Sequence, residues 1–294
     1  MNDATPDARR IADRTVSPVG FGAMRLGLEG RPDPTQAIRT IHAALDAGVQ
    51  LIDTAMNYCL GPSEFGYCEA MVARGLREWS GDSDSILVVC KGGVLRSQTE
   101  QVLRDGSPEN LRRSCEISLR ALGVESIGVY MLHAIDPNVP IMESLGALGE
   151  LKDSGKIQHI GVSNIGRRQL AEVIQSFDVV AIENRLSLWE QASLPAAEYC
   201  AAHQIALLAW GPLGSGDSAP LLNQSAGLAR IAAEKGVSAA QVAIAWVLAR
   251  ASTAIPIPGA RRPETILDSV ASQHLTLNAD EVRRLEAEIA APSA

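Results

Sequence analysis

The feature that most constrains this chain is its alternation. Eight apolar, strand-like runs fall at 19–22, 51–53, 86–90, 127–132, 159–162, 179–182, 205–209 and 253–257, and stretches with helical spacing lie between most of them. Strands that alternate with helices build parallel sheets, because each crossover helix returns the chain to pair in the same direction. Eight such units predict closure into an α/β (β/α)8 TIM barrel. An open doubly wound sheet is the alternative. It wants Gly-x-Gly-x-x-Gly after its first strand, and Gly20-Phe21-Gly22-Ala23-Met24-Arg25 lacks the last glycine. Capping signals agree with the helices: Asp33-Pro34-Thr35 and Ser107-Pro108-Glu109 open two of them, and Asn278 caps the last. A small hairpin is expected at 11–16, ahead of the first barrel run. No linker divides the remainder, so residues 1–8 are expected as a flexible tail and 9–294 as one domain.

Three successive runs end in chemistry-bearing residues. The second ends in Asp53, the third leads into Lys91 and the fourth into His133, while Tyr58 lies on the loop after the second. Parallel barrels carry their sites at these C-terminal strand ends. Taken singly, each residue has an ordinary structural reading as a cap or salt-bridge partner. Placed together they suit proton delivery to a carbonyl oxygen. A free tyrosine has a pKa of about 10, and a neighbouring ammonium lowers it by favouring phenolate. Asp53 beside Lys91 would keep that lysine charged, and His133 adds a second hydrogen bonder. None of these groups can supply a hydride, so the reading requires a nicotinamide cofactor.

The later strand ends and loops offer places to hold one. Gly22 to Arg25, including Met24, is a loop where backbone can approach a ligand. Ser163, Asn164 and Glu183 end the fifth and sixth strands with groups suited to an amide, and Trp210 after the seventh could stack on a flat ring. The loop 211–216, with Gly211, Leu213 and Gly216, is no Walker loop, yet barrels commonly hold phosphate after strands seven and eight. Arg261 and Arg262, after Gly259 and Ala260, stand there just before a helix N-terminus. The loops 24–32, 57–67, 94–106 and 211–224 are expected to form most of a substrate pocket.

Composition excludes some classes. The 294 residues are 46% hydrophobic, ample for a large core, and the net charge of −8 without runs of like charge argues against nucleic-acid or anionic-membrane binding. No apolar run is long enough for a membrane span, and the polar N-terminus has no signal-peptide core. Five scattered cysteines contain no CxxC pair, so neither a disulfide framework nor a zinc site is expected. A cytoplasmic location and a monomer or weak homo-oligomer are expected.

From about Val16 to Leu285 the sequence resembles the aldo-keto reductase family. Leu51-Ile52-Asp53-Thr54-Ala55-x-x-Tyr58, Gly161-Val162-Ser163-Asn164 and Ile257-Pro258-Gly259-Ala260-Arg261 are similar to its motifs in order and spacing. The resemblance implies a barrel with an N-terminal hairpin over its bottom. It also implies metal-free, NAD(P)H-dependent reduction of aldehydes or ketones. It places the family's tetrad on Asp53, Tyr58, Lys91 and His133, its carboxamide clamp on Ser163, Asn164 and position 183, and its stacking aromatic on Trp210. NADPH is expected over NADH, through Arg261 and Arg262 on the 2′-phosphate. Three adenine-side positions differ from the usual pattern: Thr265 stands where a further arginine is common, and Asp268 and Ser269 stand where Glu and Asn are usual. Glu183 replaces the usual glutamine. An ionised Glu183 can only accept hydrogen bonds and would favour the cationic oxidised nicotinamide; a protonated one, or one paired with Arg185, would not. Two rivals remain: a Schiff-base aldolase acting through Lys91, and a nucleotide-binding subunit without turnover.

Overall fold

The computed structural model describes residues 8–99 and 101–290, so the expected tail at 1–8 lies, but for residue 8, outside the described residues. β1 (Arg9–Ile11) and β2 (Arg14–Val16) form the antiparallel N-terminal hairpin. The chain then enters β3 (Phe21–Gly22), α1 (Met24–Gly27), α2 (Pro34–Asp46), β4 (Leu51–Asp53), α3 (Tyr67–Glu78) and β5 (Leu87–Gly92). A second hairpin, β6 (Val94–Arg96) with β7 (Val102–Arg104), follows where 94–106 was expected as loop. Next come α4 (Pro108–Leu122), β8 (Ile127–Leu132), α5 (Ile141–Asp153), β9 (Ile157–Ser163), α6 (Arg167–Val173), β10 (Val179–Arg185), α7 (Leu194–His203) and β11 (Ala206–Trp210). α8 (Ala226–Lys235), α9 (Ala239–Arg250), β12 (Ala254–Pro256), α10 (Pro263–Ala271) and α11 (Ala279–Ala290) complete it. Three other stretches read as loop also contain helix: α1 itself, a 3-10 turn at Pro62–Glu64 and a 3-10 helix over Gly216–Asn223.

The caps explain why several helices start where they do. Asp33 accepts from the N–H groups of Thr35 and Gln36, and Ser107 from that of Asn110, with proline in the first turn of each helix. Asn278 and Glu281 cap each other's backbone at the start of α11.

Eight parallel strands run in the order β3-β4-β5-β8-β9-β10-β11-β12. The two ends of this sheet meet. Gly20 N–H donates to Pro256 O at 2.9 Å and Gly22 N–H to Pro258 O at 3.1 Å, closing the (β/α)8 barrel. A Cβ on Gly22 would stand 2.7 Å from Ile257 O, so the seam requires glycine there. Inside the barrel, Leu51, Leu87, Val89, Val129, Met131, Ala181, Leu208 and Ile255 pack with Ile11 and Val16, so the N-terminal hairpin plugs one end.

Strand alternation then dictates what lines the other end. Side chains two apart share a face. Leu87 and Val89 point inward, so Lys91 does; Val129 and Met131 point inward, so His133, just past the strand, follows. The same count carries Leu51 to Asp53, Ala181 to Glu183 and Leu208 to Trp210. The residues between, such as Cys90, Tyr130, Ile182 and Leu207, face the helical layer.

That outer layer also contains a buried carboxyl group. Glu69 of α3 is fully buried and accepts from the Cys90 thiol, and burial pushes its carboxyl up to about 7.

Candidate active site

Lys91 is the centre of the site. Its side chain is fully buried, with Nζ 2.6 Å from Asp53 Oδ1, 3.0 Å from Tyr58 Oη, 3.1 Å from Thr54 O and 3.3 Å from Glu183 Oε2. Burial works against its charge, but Asp53, Glu183 and Tyr58 outweigh that and hold its pKa well above the ordinary value. Both carboxyl groups are pushed up by burial, and Glu183 is raised further by Asp53. Asp53 lies nearer the ammonium and Glu183 is raised by Asp53 as well as by burial, which favours the negative charge on Asp53 and a proton on Glu183, shared between the two. Arg185, the other partner considered for Glu183, pairs instead with Glu190 at 2.7 Å and with Ser215.

Tyr58 sits on the loop after β4, 7% exposed at the floor of a cleft of about 490 Å³. Its place depends on Gly27: a Cβ there would lie 2.0 Å from Tyr58 O, so only glycine lets α1 dock against this loop. The expectation that Lys91 lowers the tyrosine's pKa holds for that contact alone. Burial is the larger effect, Asp53 and Glu183 add to it, and the net shift is well upward. Tyr58 is therefore a protonated phenol at neutral pH, a donor rather than a phenolate. His133 meets its ring edge-on at 5.7 Å between centroids. Burial, then Lys91, hold the imidazole well below its usual pKa, so it is neutral, and its Nδ1 is buried without a hydrogen-bond partner.

The cleft brings together most of the expected residues. Gly22, Met24, Asp53, Tyr58, His133, Ser163, Asn164, Glu183, Trp210, Gly211, Leu213 and Gly259 line it, with Lys91 directly beneath. Gly216, Ala260, Arg261, Thr265, Asp268 and Ser269 do not line it. Arg261 donates to Glu29 O at 2.8 Å and keeps a buried Nε without a partner. Asp268 is engaged by Ser238 Oγ and Gln241 Nε2 at the start of α9. Asn184, which the sequence offers beside Glu183, is spent on the N–H and C=O of Ile165.

The residues present fit a nicotinamide carboxamide from one side. Asn164 donates both amide hydrogens, to Ser163 Oγ and His133 O, and Ser163 donates to Glu183 O. What remains toward the cleft is acceptor capacity on Asn164 Oδ1, suited to a carboxamide NH2. Arg185 packs its guanidinium over the Trp210 ring, 5.2 Å from the ring centre. Gly211 and Gly214 take positive φ angles of 63° and 83°, leaving the adjoining loop free of side chains on its tight turns.

The segments expected to form the pocket do line it, through Arg25 of α1, Asn57, and Arg96, Val102 and Arg104 of the β6–β7 hairpin, although the sequence singled out none of these five as a site residue. A signal existed: Val94-Leu95-Arg96 recurs as Val102-Leu103-Arg104 around a polar turn.

A barrel with a buried lysine–carboxylate pair under a tyrosine, beside a cleft with an acceptor for a carboxamide, is an arrangement suited to a nicotinamide-using oxidoreductase. The family model described as aldo/keto reductase family matches residues 18–290, and the chain belongs to that family. It is 30% identical over 286 residues to pyridoxine 4-dehydrogenase of Escherichia coli, covering 94% of this chain and 96% of that one. Among solved structures it is similar to the glycerol dehydrogenase AKR11B4 from Gluconobacter oxydans, with TM-score 0.83, 29% identity and 97% and 95% of the two chains covered. An aldo/keto reductase from Klebsiella pneumoniae in complex with NADP and acetate shares the fold, with TM-score 0.81, 23% identity and 98% and 97% covered.

Proposed function

We propose that this protein interconverts an aldehyde or ketone and its alcohol with NADP(H), using Tyr58 as the acid and base. The observation that carries the reading is the 3.0 Å contact between Tyr58 Oη and Lys91 Nζ, whose charge Asp53 sustains, at the floor of the cleft. The cofactor, when bound, supplies or accepts the hydride. Tyr58 donates its proton to the carbonyl oxygen as negative charge grows there, and Lys91 stabilises the phenolate left behind. Asp53 fixes Lys91 and keeps it charged, while neutral His133 orients the oxygen. In the alcohol direction the same phenolate takes the proton back. Asn164, Glu183, Trp210 and the loop at 211–215 are the proposed nicotinamide and phosphate contacts, with Arg261 at the adenosine end.

The charged state of Lys91 argues against a Schiff-base aldolase, because an ammonium has no lone pair to attack a carbonyl. The complete Asp53–Tyr58–Lys91–His133 set argues against a subunit that only binds nucleotide. The test is a panel of carbonyls with NADPH and of alcohols with NADP+, followed by absorbance of the reduced nicotinamide. Cofactor binding with no turnover on any member would sink the proposal.

A further inference from the structure

The β6–β7 hairpin presents a patterned face to the cleft. Its register sets Val94 opposite Arg104 and Arg96 opposite Val102. Residues opposite each other, or two apart on one strand, share a face. All four line the cleft, so two valines and two arginines alternate across that wall. The hairpin follows the third barrel strand, whereas the loop at 211–215 follows the seventh. These are diametrically opposed in an eight-stranded barrel, so Arg96 and Arg104 face the cleft from the side away from the proposed phosphate loop. Arg25, the third arginine on the lining, packs against Gly259 and belongs to that other side.

Arg96 is half-buried, its Nε is buried without a hydrogen-bond partner, and neither arginine forms an ion pair among the described residues. Arg104 makes one contact of 3.4 Å with Ile135 O. The Asp136 carboxylate accepts from the N–H groups of Gly106 and Asn138 and is also held low by Arg104, so Arg104 is partly balanced and Arg96 is the freer of the two. The acidic side chains on the lining, Asp53 and Glu183, lie on the floor and are committed to Lys91. In a chain of net charge −8, a cleft wall bearing two arginines, Arg96 with no ion pair among the described residues and Arg104 only partly balanced by Asp136, is a local reversal of sign. Such a wall attracts an anion and binds it through charge-assisted hydrogen bonds.

We propose that the cleft selects carbonyl or alcohol substrates carrying a separate oxyanion group, a carboxylate or phosphate, held by Arg96 with support from Arg104 while Val94 and Val102 pack the apolar spacer. The reacting end rests on the carbonyl-reduction reading; the anion contact does not. Two readouts separate them. The first is kcat/KM for matched pairs: succinic semialdehyde against butanal, 4-carboxybenzaldehyde against 4-methylbenzaldehyde, and glyceraldehyde 3-phosphate against glyceraldehyde. The second needs no turnover: the affinity of the NADP+-saturated protein for 4-carboxybenzyl alcohol against 4-methylbenzyl alcohol, read by tryptophan fluorescence. The charged member is expected to win in both. Arg96→Gln should lower the charged-to-neutral ratio by about tenfold or more, Arg104→Gln by less, and Arg96→Lys should retain part of it. Whichever anion pair is most sensitive to Arg96 identifies the group. Selective binding without turnover would uphold the anion site and sink the reductase reading. Equal binding of both alcohols, or a ratio unmoved by Arg96→Gln and Arg104→Gln in folded protein, would overturn the anion site.

Discussion

Glu183 Oε2 stands 3.3 Å from Lys91 Nζ, on the side of the ammonium not taken by Asp53 at 2.6 Å. One buried cation thus faces two carboxyl groups, and one negative charge with one retained proton balances it. Removing the cation leaves the pair unsatisfied. Lys91→Met is expected to cost about 3–5 kcal/mol of stability, the usual cost of breaking a buried ion pair from one side. It should also remove turnover, because phenolate at Tyr58 loses its neighbour. Thermal unfolding and kcat measured on the same preparation check both; a variant as stable as the parent would refute the charge balance.

Tyr58→Phe should behave differently. It removes a group needed only as charge develops on the substrate oxygen, so kcat should fall by about a hundredfold or more with cofactor affinity nearly unchanged. Steady-state kinetics with a cofactor titration decide it, and a near-normal kcat would exclude Tyr58 as the acid.

For Glu183, the retained proton has a consequence for cofactor redox preference. A neutral carboxyl does not favour cationic NADP+ over NADPH, so Glu183→Gln should change the ratio of their affinities by less than about twofold at pH 6. As pH rises through its elevated pKa, Glu183 ionises in the parent but not in the variant, and the two ratios should then diverge. A large drop in the ratio already at pH 6 would mean that Glu183 is ionised and acts on the ring.

Arg261 is anchored on Glu29 O with its Nε left over, and it is the proposed contact to the 2′-phosphate. Arg261→Ala should weaken NADPH about tenfold more than NADH, the worth of one charge-assisted contact. Equal losses for both cofactors would move the phosphate site elsewhere.

Glu69 gives a stability signature with a definite sign. Its folded pKa of about 7 is raised by burial above the usual carboxyl value of about 4.5. The folded state therefore holds the proton more tightly than the unfolded one. Stability from this residue is full below about pH 4.5 and is lost as pH rises to about 7, a change of about 3 kcal/mol. Glu69→Gln should flatten that part of the profile and melt higher than the parent at pH 8. Parallel pH dependences of Tm in the two proteins would contradict the assignment.

Which residues point into the barrel was legible from the sequence, because strand alternation is local: Leu87 and Val89 carry the count to Lys91, and Val129 and Met131 to His133. Asp33, Ser107 and Asn278 marked helix starts for equally local reasons. The fate of Glu183 was not legible. It depends on how close β10 comes to β4 across the interior, which curvature sets and no spacing along the chain encodes. Tyr58 was misjudged on the same ground, since a charged neighbour can be read from order but the depth of burial cannot. The β6–β7 hairpin escaped because each strand is three residues long, too short for alternation to stand out from loop.

The seam that closes the barrel joins Gly20 and Gly22, near the start of the chain, to Pro256 and Pro258, near its end. Asp53 and Tyr58 come early, at the end of β4 and on the loop after it, and Arg261 lies just after β12, the last strand. During synthesis the residues that would perform proton transfer leave the ribosome early, while the wall that would grip the nucleotide is missing until β12 emerges. A partly made chain therefore carries Lys91 and Asp53 on neighbouring strands but has no closed barrel and no finished cleft, and competence would arrive abruptly with the final strand rather than accumulate along the way.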